Sequence, residues 1–149
     1  LSKKLDFAYV GLEELLKSSD IITLHVPALP TTVHMINEET ISHFKKGAVL
    51  INTSRGNIIK TKVLVKALED GIISQAALDV LEEEGELTNA TEDDSRIEVL
   101  NHKLMKMDNV LITPHTAFQT KEAEQRILQT TVENVKSFLE GSPQNIVKS

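Results

Sequence analysis

The 149 residues are enough for one ordinary domain and too few for two well-filled ones. Hydrophobic residues at 40% and charged residues at 26% exclude wholesale disorder, and no apolar run approaches the roughly 20 residues that cross a bilayer. The absence of cysteine excludes disulfides and thiolate zinc sites, and the net charge of −6 comes without a basic patch, so we expect a cytoplasmic protein with no metal site and no nucleic-acid or membrane partner.

Helical patterns alternate with short apolar runs along the chain. In order, the pattern predicts a helix over 11–17, a strand over 21–26, a helix over 37–45, a strand over 48–52, a helix over 61–70, a strand over 75–80, a helix over 99–107, a strand over 109–113 and a helix over 120–140. The strand runs lack polar alternation, which is typical of parallel strands covered on both faces. Thr61 is the predicted cap of its helix. The alternation predicts an α/β fold with a doubly wound parallel sheet.

The charge is concentrated between Glu82 and Glu98. Eight acidic residues and one arginine give this stretch a charge of −7. Such a run is most often a solvated loop, and we predict one here.

Three chemically useful side chains each follow a different predicted strand: Arg55, Glu84 and His115. Functional loops lie at the carboxyl ends of parallel strands, which meet at one edge of a sheet. An arginine there can bind a carboxylate through two parallel hydrogen bonds, and a histidine paired with a carboxylate can act as an acid or base near neutral pH. Each residue taken alone is more commonly an ordinary surface or loop residue, so only their combination indicates a site.

Four segments, in this order, carry a family resemblance. They are His25-Val26-Pro27 with Val33-His34-Met35-Ile36-Asn37, then Leu50-Ile51-Asn52-Thr53-Ser54-Arg55-Gly56, then Ala77-Leu78-Asp79-Val80, and last Asn109-Val110-Leu111-Ile112-Thr113-Pro114-His115-Thr116-Ala117-Phe118. From about residue 12 to 141 the sequence resembles the D-isomer-specific 2-hydroxyacid dehydrogenases, and within them most resembles the D-lactate dehydrogenase branch. The resemblance implies the C-terminal half of a Rossmann-type domain and a long C-terminal helix that packs on a substrate domain.

The resemblance also implies roles for the three side chains. Arg55 matches the arginine that holds the carboxylate of a 2-oxo acid such as pyruvate, and His115 matches the acid/base that protonates the ketone oxygen. Glu84, five residues after Asp79, matches the carboxylate that pairs with this histidine. Neighbouring Glu82 and Glu83 are expected to be solvated. The remaining histidines have no matching role and are interpreted as structural or surface residues: His25, His34, His43 and His102.

For the cofactor, the resemblance implies NAD. Val26 and Pro27 match an apolar loop beside the adenine, and Thr32 matches a polar contact nearby. The turn formed by Thr53, Ser54 and Arg55, together with Asp79, matches the nicotinamide end. For Val26 and Pro27 the structural interpretation, a strand that ends at proline, is equally consistent with the residues.

The domain organisation is expected to be incomplete. The six glycines contain no Gly-x-Gly-x-x-Gly, so we expect the phosphate-binding turn and the residue that distinguishes NAD from NADP to lie upstream of Leu1. We predict a partial NAD-binding domain over 1–118 and a segment returning to the substrate domain over 119–149. The resemblance implies a homodimer, and we expect the isolated chain to be inactive. A non-catalytic dinucleotide-binding regulatory module and an inactive fragment remain the alternatives.

Overall fold

The computed structural model describes residue 4 and residues 7–82 and 92–147 of the chain, with side chains in the last range described from residue 97. It divides into two compact units, Leu1–His115 and Thr116–Ser149. Among the described residues, no helix has both the length and the apolar character needed to span a bilayer.

The first unit alternates strands and helices. Its helices are α1 (Leu12–Ser18), α2 (Thr61–Glu69) and α3 (Glu92–Leu104), with 3-10 turns at Thr40–His43 and Gly56–Ile58. Its strands are β1 (Ile21–Leu24), β2 (Ala48–Asn52), β3 (Ile73–Leu78) and β4 (Val110–Ile112). The predicted α/β alternation is therefore confirmed.

The four strands form one parallel sheet in the order β1-β2-β3-β4. One row of the register joins Thr23, Ile51, Ala77 and Leu111. Because every strand runs the same way, the four strand ends, and the loops that follow them, lie at one edge. That edge carries Arg55 and His115.

The core lies on one face of this sheet and is aliphatic. Leu16, Leu50, Leu64, Ile73 and Leu104 are each at most 2% exposed, and burying a side chain of this size stabilises the fold by about 1.5–3 kcal/mol. On the opposite face Ile21 and Leu111 are 64% exposed. The sequence predicted that both faces of the sheet are covered, whereas in the described residues only one face is covered.

Two predicted helices differ from the structure. Residues 37–45 form only a short 3-10 turn, since the Asn37 side chain accepts hydrogen bonds from the backbone N–H groups of Glu39 and Thr40, and such local bonds compete with the helix. The helix predicted over 99–107 spans Glu92–Leu104 instead. Part of the acidic run is therefore a helix, and the loop prediction was wrong there. Acidic residues favour a helix N-terminus, which is the signal that could have located this one.

The second unit contains one long helix, α4 (Lys121–Leu139). Thr120 is its N-cap, because the Thr120 hydroxyl oxygen accepts a hydrogen bond from the Ala123 N–H at 3.1 Å. The predicted start is confirmed to within one residue. The apolar side chains of this helix are largely exposed, among them Ile127, Leu128 and Phe138. Packing of this helix on a substrate domain stays a prediction.

Candidate active site

Arg55 lies in the turn after β2, and a buried asparagine shapes that turn. Asn52, which ends the strand and is 1% exposed, accepts hydrogen bonds from the Ser54 backbone N–H at 3.1 Å and the Ser54 hydroxyl at 2.9 Å. The Asn52 amide donates to the Arg55 carbonyl at 2.9 Å. The exposed guanidinium of Arg55 donates to the Ser54 carbonyl. The backbone that carries the guanidinium is therefore fixed from inside the core.

The same turn packs directly on the chain after β3. A Cβ atom placed on Gly56 would lie 1.8 Å from the Leu81 carbonyl oxygen, far inside any permitted contact. Only glycine allows the two backbones to approach this closely. The turn and the residues after β3 are thus one packed unit.

His115 follows β4 and adopts a left-handed backbone conformation, with φ at 54°. The His115 N–H donates to the carbonyl oxygens of Asp79 at 2.9 Å and Thr113 at 3.0 Å. Asp79 is 3% exposed, and its carboxylate accepts a hydrogen bond from the Thr113 hydroxyl at 2.5 Å. Asp79 therefore joins the ends of β3 and β4 and places the histidine backbone. Left-handed residues other than glycine are uncommon and cluster at functional sites.

Arg55 and His115 line one cavity of about 370 Å³. Its wall also includes His34, Glu82 and the apolar side chain of Val80. The two predicted residues come from segments 60 positions apart, and the parallel sheet brings them to the same edge. Glu84, the predicted partner of His115, lies outside the described residues.

A second, more open depression adjoins the cavity at Ala28 and Arg55. It is lined by five of the residues predicted to contact the cofactor, Val26, Pro27, Thr53, Ser54 and Arg55, and by His25, for which no role was predicted. The depression combines apolar side chains with two hydroxyls and a guanidinium, and a lining of this kind fits the ring and ribose of a nucleotide.

The other two residues predicted to contact the cofactor, Thr32 and Asp79, form hydrogen bonds within the protein. The Thr32 hydroxyl donates to the Pro27 carbonyl at 2.6 Å and accepts from the Leu29 N–H at 2.8 Å, which closes the loop after β1. Asp79 is buried between strand ends, as described above. Their contacts with a cofactor stay predictions.

Glu82 lies in an environment that differs most from the one predicted for it. Expected to be solvated, it is 7% exposed, so that prediction was wrong. Its carboxylate bonds with the His34 imidazole at 2.5 Å and accepts the Thr61 N–H at 2.9 Å. Thr61 was the predicted cap of α2, but Lys60 occupies the cap position and the Glu82 carboxylate takes the hydrogen bond instead. Nothing in a run of glutamates distinguishes the buried member.

Comparison with known proteins gives a consistent answer. Residues 2–117 match the family model described as D-isomer specific 2-hydroxyacid dehydrogenase, NAD binding domain. A D-specific alpha-keto acid dehydrogenase of Enterococcus faecalis is 44% identical over 141 residues, covering 92% of this chain and 43% of the relative. A glyoxylate reductase of Thermofilum pendens is 43% identical over 133 residues, covering 89% of this chain and 36% of the relative.

Solved structures agree. The structure of a D-lactate dehydrogenase from Aquifex aeolicus complexed with NAD and lactic acid matches with a TM-score of 0.79 and 43% identity, over 91% of this chain and 41% of that one. The chain spans about two fifths of the length of the relatives it matches.

Proposed function

The chain belongs to the D-isomer specific 2-hydroxyacid dehydrogenase family, through its NAD-binding domain, and from this premise we propose that the protein interconverts a small 2-oxo acid and the corresponding D-2-hydroxy acid with NAD as its redox cofactor. The observation that supports the proposal is that Arg55 and His115 line one cavity. Pyruvate and D-lactate are the proposed pair.

Arg55 is the proposed carboxylate binder. A guanidinium presents a planar fork of N–H donors that matches a carboxylate, and a charge-assisted pair of this kind is stronger than a neutral one. The turn held by Asn52 leaves the guanidinium exposed at the cavity. A 2-oxo acid held by its carboxylate there would present its ketone to the same cavity.

His115 is the proposed acid/base. As an imidazolium it donates a proton to the ketone oxygen, and in the reverse direction it accepts that proton from the hydroxyl. The cofactor supplies or takes the hydride. We propose Glu84 as the carboxylate that pairs with the imidazole and orients it. The hydrogen bonds that the His115 N–H donates to the carbonyl oxygens of Asp79 and Thr113 hold the histidine at the cavity.

The proposed cofactor contacts are the side chains of the open depression, with Thr32 and Asp79 as the further predicted contacts. Val26 and Pro27 would pack against a flat ring, the Thr53 hydroxyl would donate a hydrogen bond to a ribose or amide oxygen, and the Ser54 hydroxyl, whose proton is donated to Asn52, would accept one. We also propose, from the family, that the protein is a homodimer.

The experiment replaces the histidine: His115→Ala in the intact protein. Loss of a general acid lowers kcat for pyruvate reduction about 10²- to 10⁴-fold, while the dissociation constant of NADH, measured by fluorescence titration, stays within about twofold. His102→Ala, at an exposed position of α3, is the control and keeps wild-type kcat. A wild-type protein that binds NADH and reduces no 2-oxo acid would instead be the non-catalytic dinucleotide-binding module.

A further inference from the structure

Glu82 connects three separate segments at the edge of the sheet, two through its carboxylate and one through its backbone carbonyl. One carboxylate oxygen bonds with the Nε2 atom of His34, in the loop after β1, at 2.5 Å. The other accepts the N–H of Thr61, the first residue of α2, at 2.9 Å. The Glu82 backbone carbonyl accepts a hydrogen bond from the Asn101 side chain of α3 at 3.0 Å. Burying a carboxylate is costly unless it is bonded in this way, so these bonds are needed once Glu82 lies inside.

His34 is held in turn by the segment that follows Arg55. The His34 backbone has φ of 50°, and its N–H donates to the Asn57 carbonyl at 2.8 Å. Two residues on, the Ile36 N–H donates to the Ile58 carbonyl at 3.1 Å. The loop after β1 therefore lies along the stretch from Asn57 to Ile58, and its imidazole reaches across to Glu82.

The segment that follows Arg55 is consequently held by contacts at several points. Before Glu82, the Leu81 carbonyl is in contact with Gly56. After the turn, Asn57 bonds with His34 and Thr61 bonds with Glu82. The segment from Gly56 to Thr61 thus has its beginning, middle and end tied to residues 81–82, directly or through His34.

We propose that Glu82 and His34 are positioning residues for Arg55. The hydrogen bond between them holds residues 56–61 in the position in which the Arg55 guanidinium faces the cavity that it shares with His115. The inference rests on the proposed function, since it concerns the site proposed to bind the 2-oxo acid carboxylate. Neither side chain takes part in the chemistry. Both line the same cavity, so a shift of either changes its wall as well as the turn.

A merely structural role is the competing explanation, and steady-state kinetics separates the two. A variant that is only less stable has fewer folded molecules, which lowers kcat and leaves KM unchanged. A displaced guanidinium weakens carboxylate binding, which raises KM. A misplacement of about 1 Å by a residue outside the reaction can cost about 100-fold.

The test uses Glu82→Gln and His34→Asn in the intact protein. Glutamine keeps the shape of Glu82 without its charge, and asparagine tolerates the left-handed backbone of His34 while removing its ring. The matched control is Glu39→Gln, because Glu39 is an exposed carboxylate of the same loop after β1. We expect KM for pyruvate to rise about 10- to 100-fold in both test variants and to remain unchanged in the control.

A second measurement does not depend on activity. In ¹⁵N NMR spectra of the ligand-free protein, the Arg55 Nε–H and Gly56 N–H signals should move in Glu82→Gln and His34→Asn and stay in place in Glu39→Gln. If the wild-type protein reduces no 2-oxo acid, the proposed function fails while these signals still decide the positioning role. Unmoved Arg55 and Gly56 signals in His34→Asn overturn the proposal, and that variant decides alone should Glu82→Gln fail to fold.

Discussion

At the scale of single residues, the site depends on backbone contacts as much as on reactive side chains. Asn52 shapes the turn of Arg55 from the core, and Asp79 bonds with the backbone of His115. Gly56 permits the contact between the turn and the chain after β3. These residues touch no reacting atom in the proposed mechanism. They determine the positions of Arg55 and His115.

Gly56 gives a prediction at this scale. Gly56→Ala would drive a methyl group into the Leu81 carbonyl, 1.8 Å away, so the turn or the facing backbone must move. Overpacking of this kind costs about 1–3 kcal/mol or more in the free energy of unfolding, measurable by urea denaturation. Gly11→Ala is the control because no atom lies within 4 Å of its Cβ position, and its cost stays below about 1 kcal/mol. Equal costs in the two variants would contradict the close contact.

At the scale of elements, the helix N-termini show two kinds of capping. The N-terminus of α4 is capped locally, by Thr120. At the N-terminus of α2, the backbone N–H of Thr61 donates to the carboxylate of Glu82, which lies 21 positions away in the sequence. Beside it, the Lys60 ammonium donates to the Glu38 carboxylate at 2.7 Å and ties the start of α2 to the loop after β1. This hydrogen bond is the largest cause that lowers the pKa of Glu38.

The ion pair gives a prediction on pH. Removing the ammonium in Lys60→Met should raise the pKa of Glu38 toward the ordinary value of a glutamate, as followed by carboxyl ¹³C NMR. Lys62→Met is the control, since the charge of Lys62 lowers the pKa of Glu38 less than the Lys60 hydrogen bond does. Because folding lowers the pKa, the stabilising effect is present above the unfolded-state pKa and is lost as pH falls through the folded-state value. A Glu38 titration unaffected by Lys60→Met would refute the pairing.

At the scale of the whole molecule, we expect the chain to supply only part of a dinucleotide-binding site. It spans about two fifths of the relatives' length, and its six glycines include no phosphate-binding Gly-x-Gly-x-x-Gly. The described depression is lined by the side chains that we propose as contacts for a ring and a ribose. The pyrophosphate, which binds at a glycine-rich helix N-terminus in such domains, has no such turn in these residues.

The purified 149-residue chain should therefore bind NADH weakly or undetectably and reduce no pyruvate. Isothermal titration calorimetry and absorbance at the nicotinamide band measure the two properties, and circular dichroism establishes that the sample is folded. The D-lactate dehydrogenase of Aquifex aeolicus, solved with NAD bound, is the positive control. Turnover of pyruvate by the isolated chain would contradict this expectation.

The parallel α/β order, the strand ends to within two residues and the long C-terminal helix followed from the sequence alone, because continuous β-branched runs, prolines and a Thr cap act over a few residues. Arg55 and His115 could be placed at one edge for the same reason: parallel strands align their ends. The tertiary structure alone decided that Glu82 is buried, that His34 faces it and that Gly56 contacts Leu81. Those contacts join residues 21 to 48 positions apart, and burial of a charge depends on partners that no local pattern of the sequence specifies.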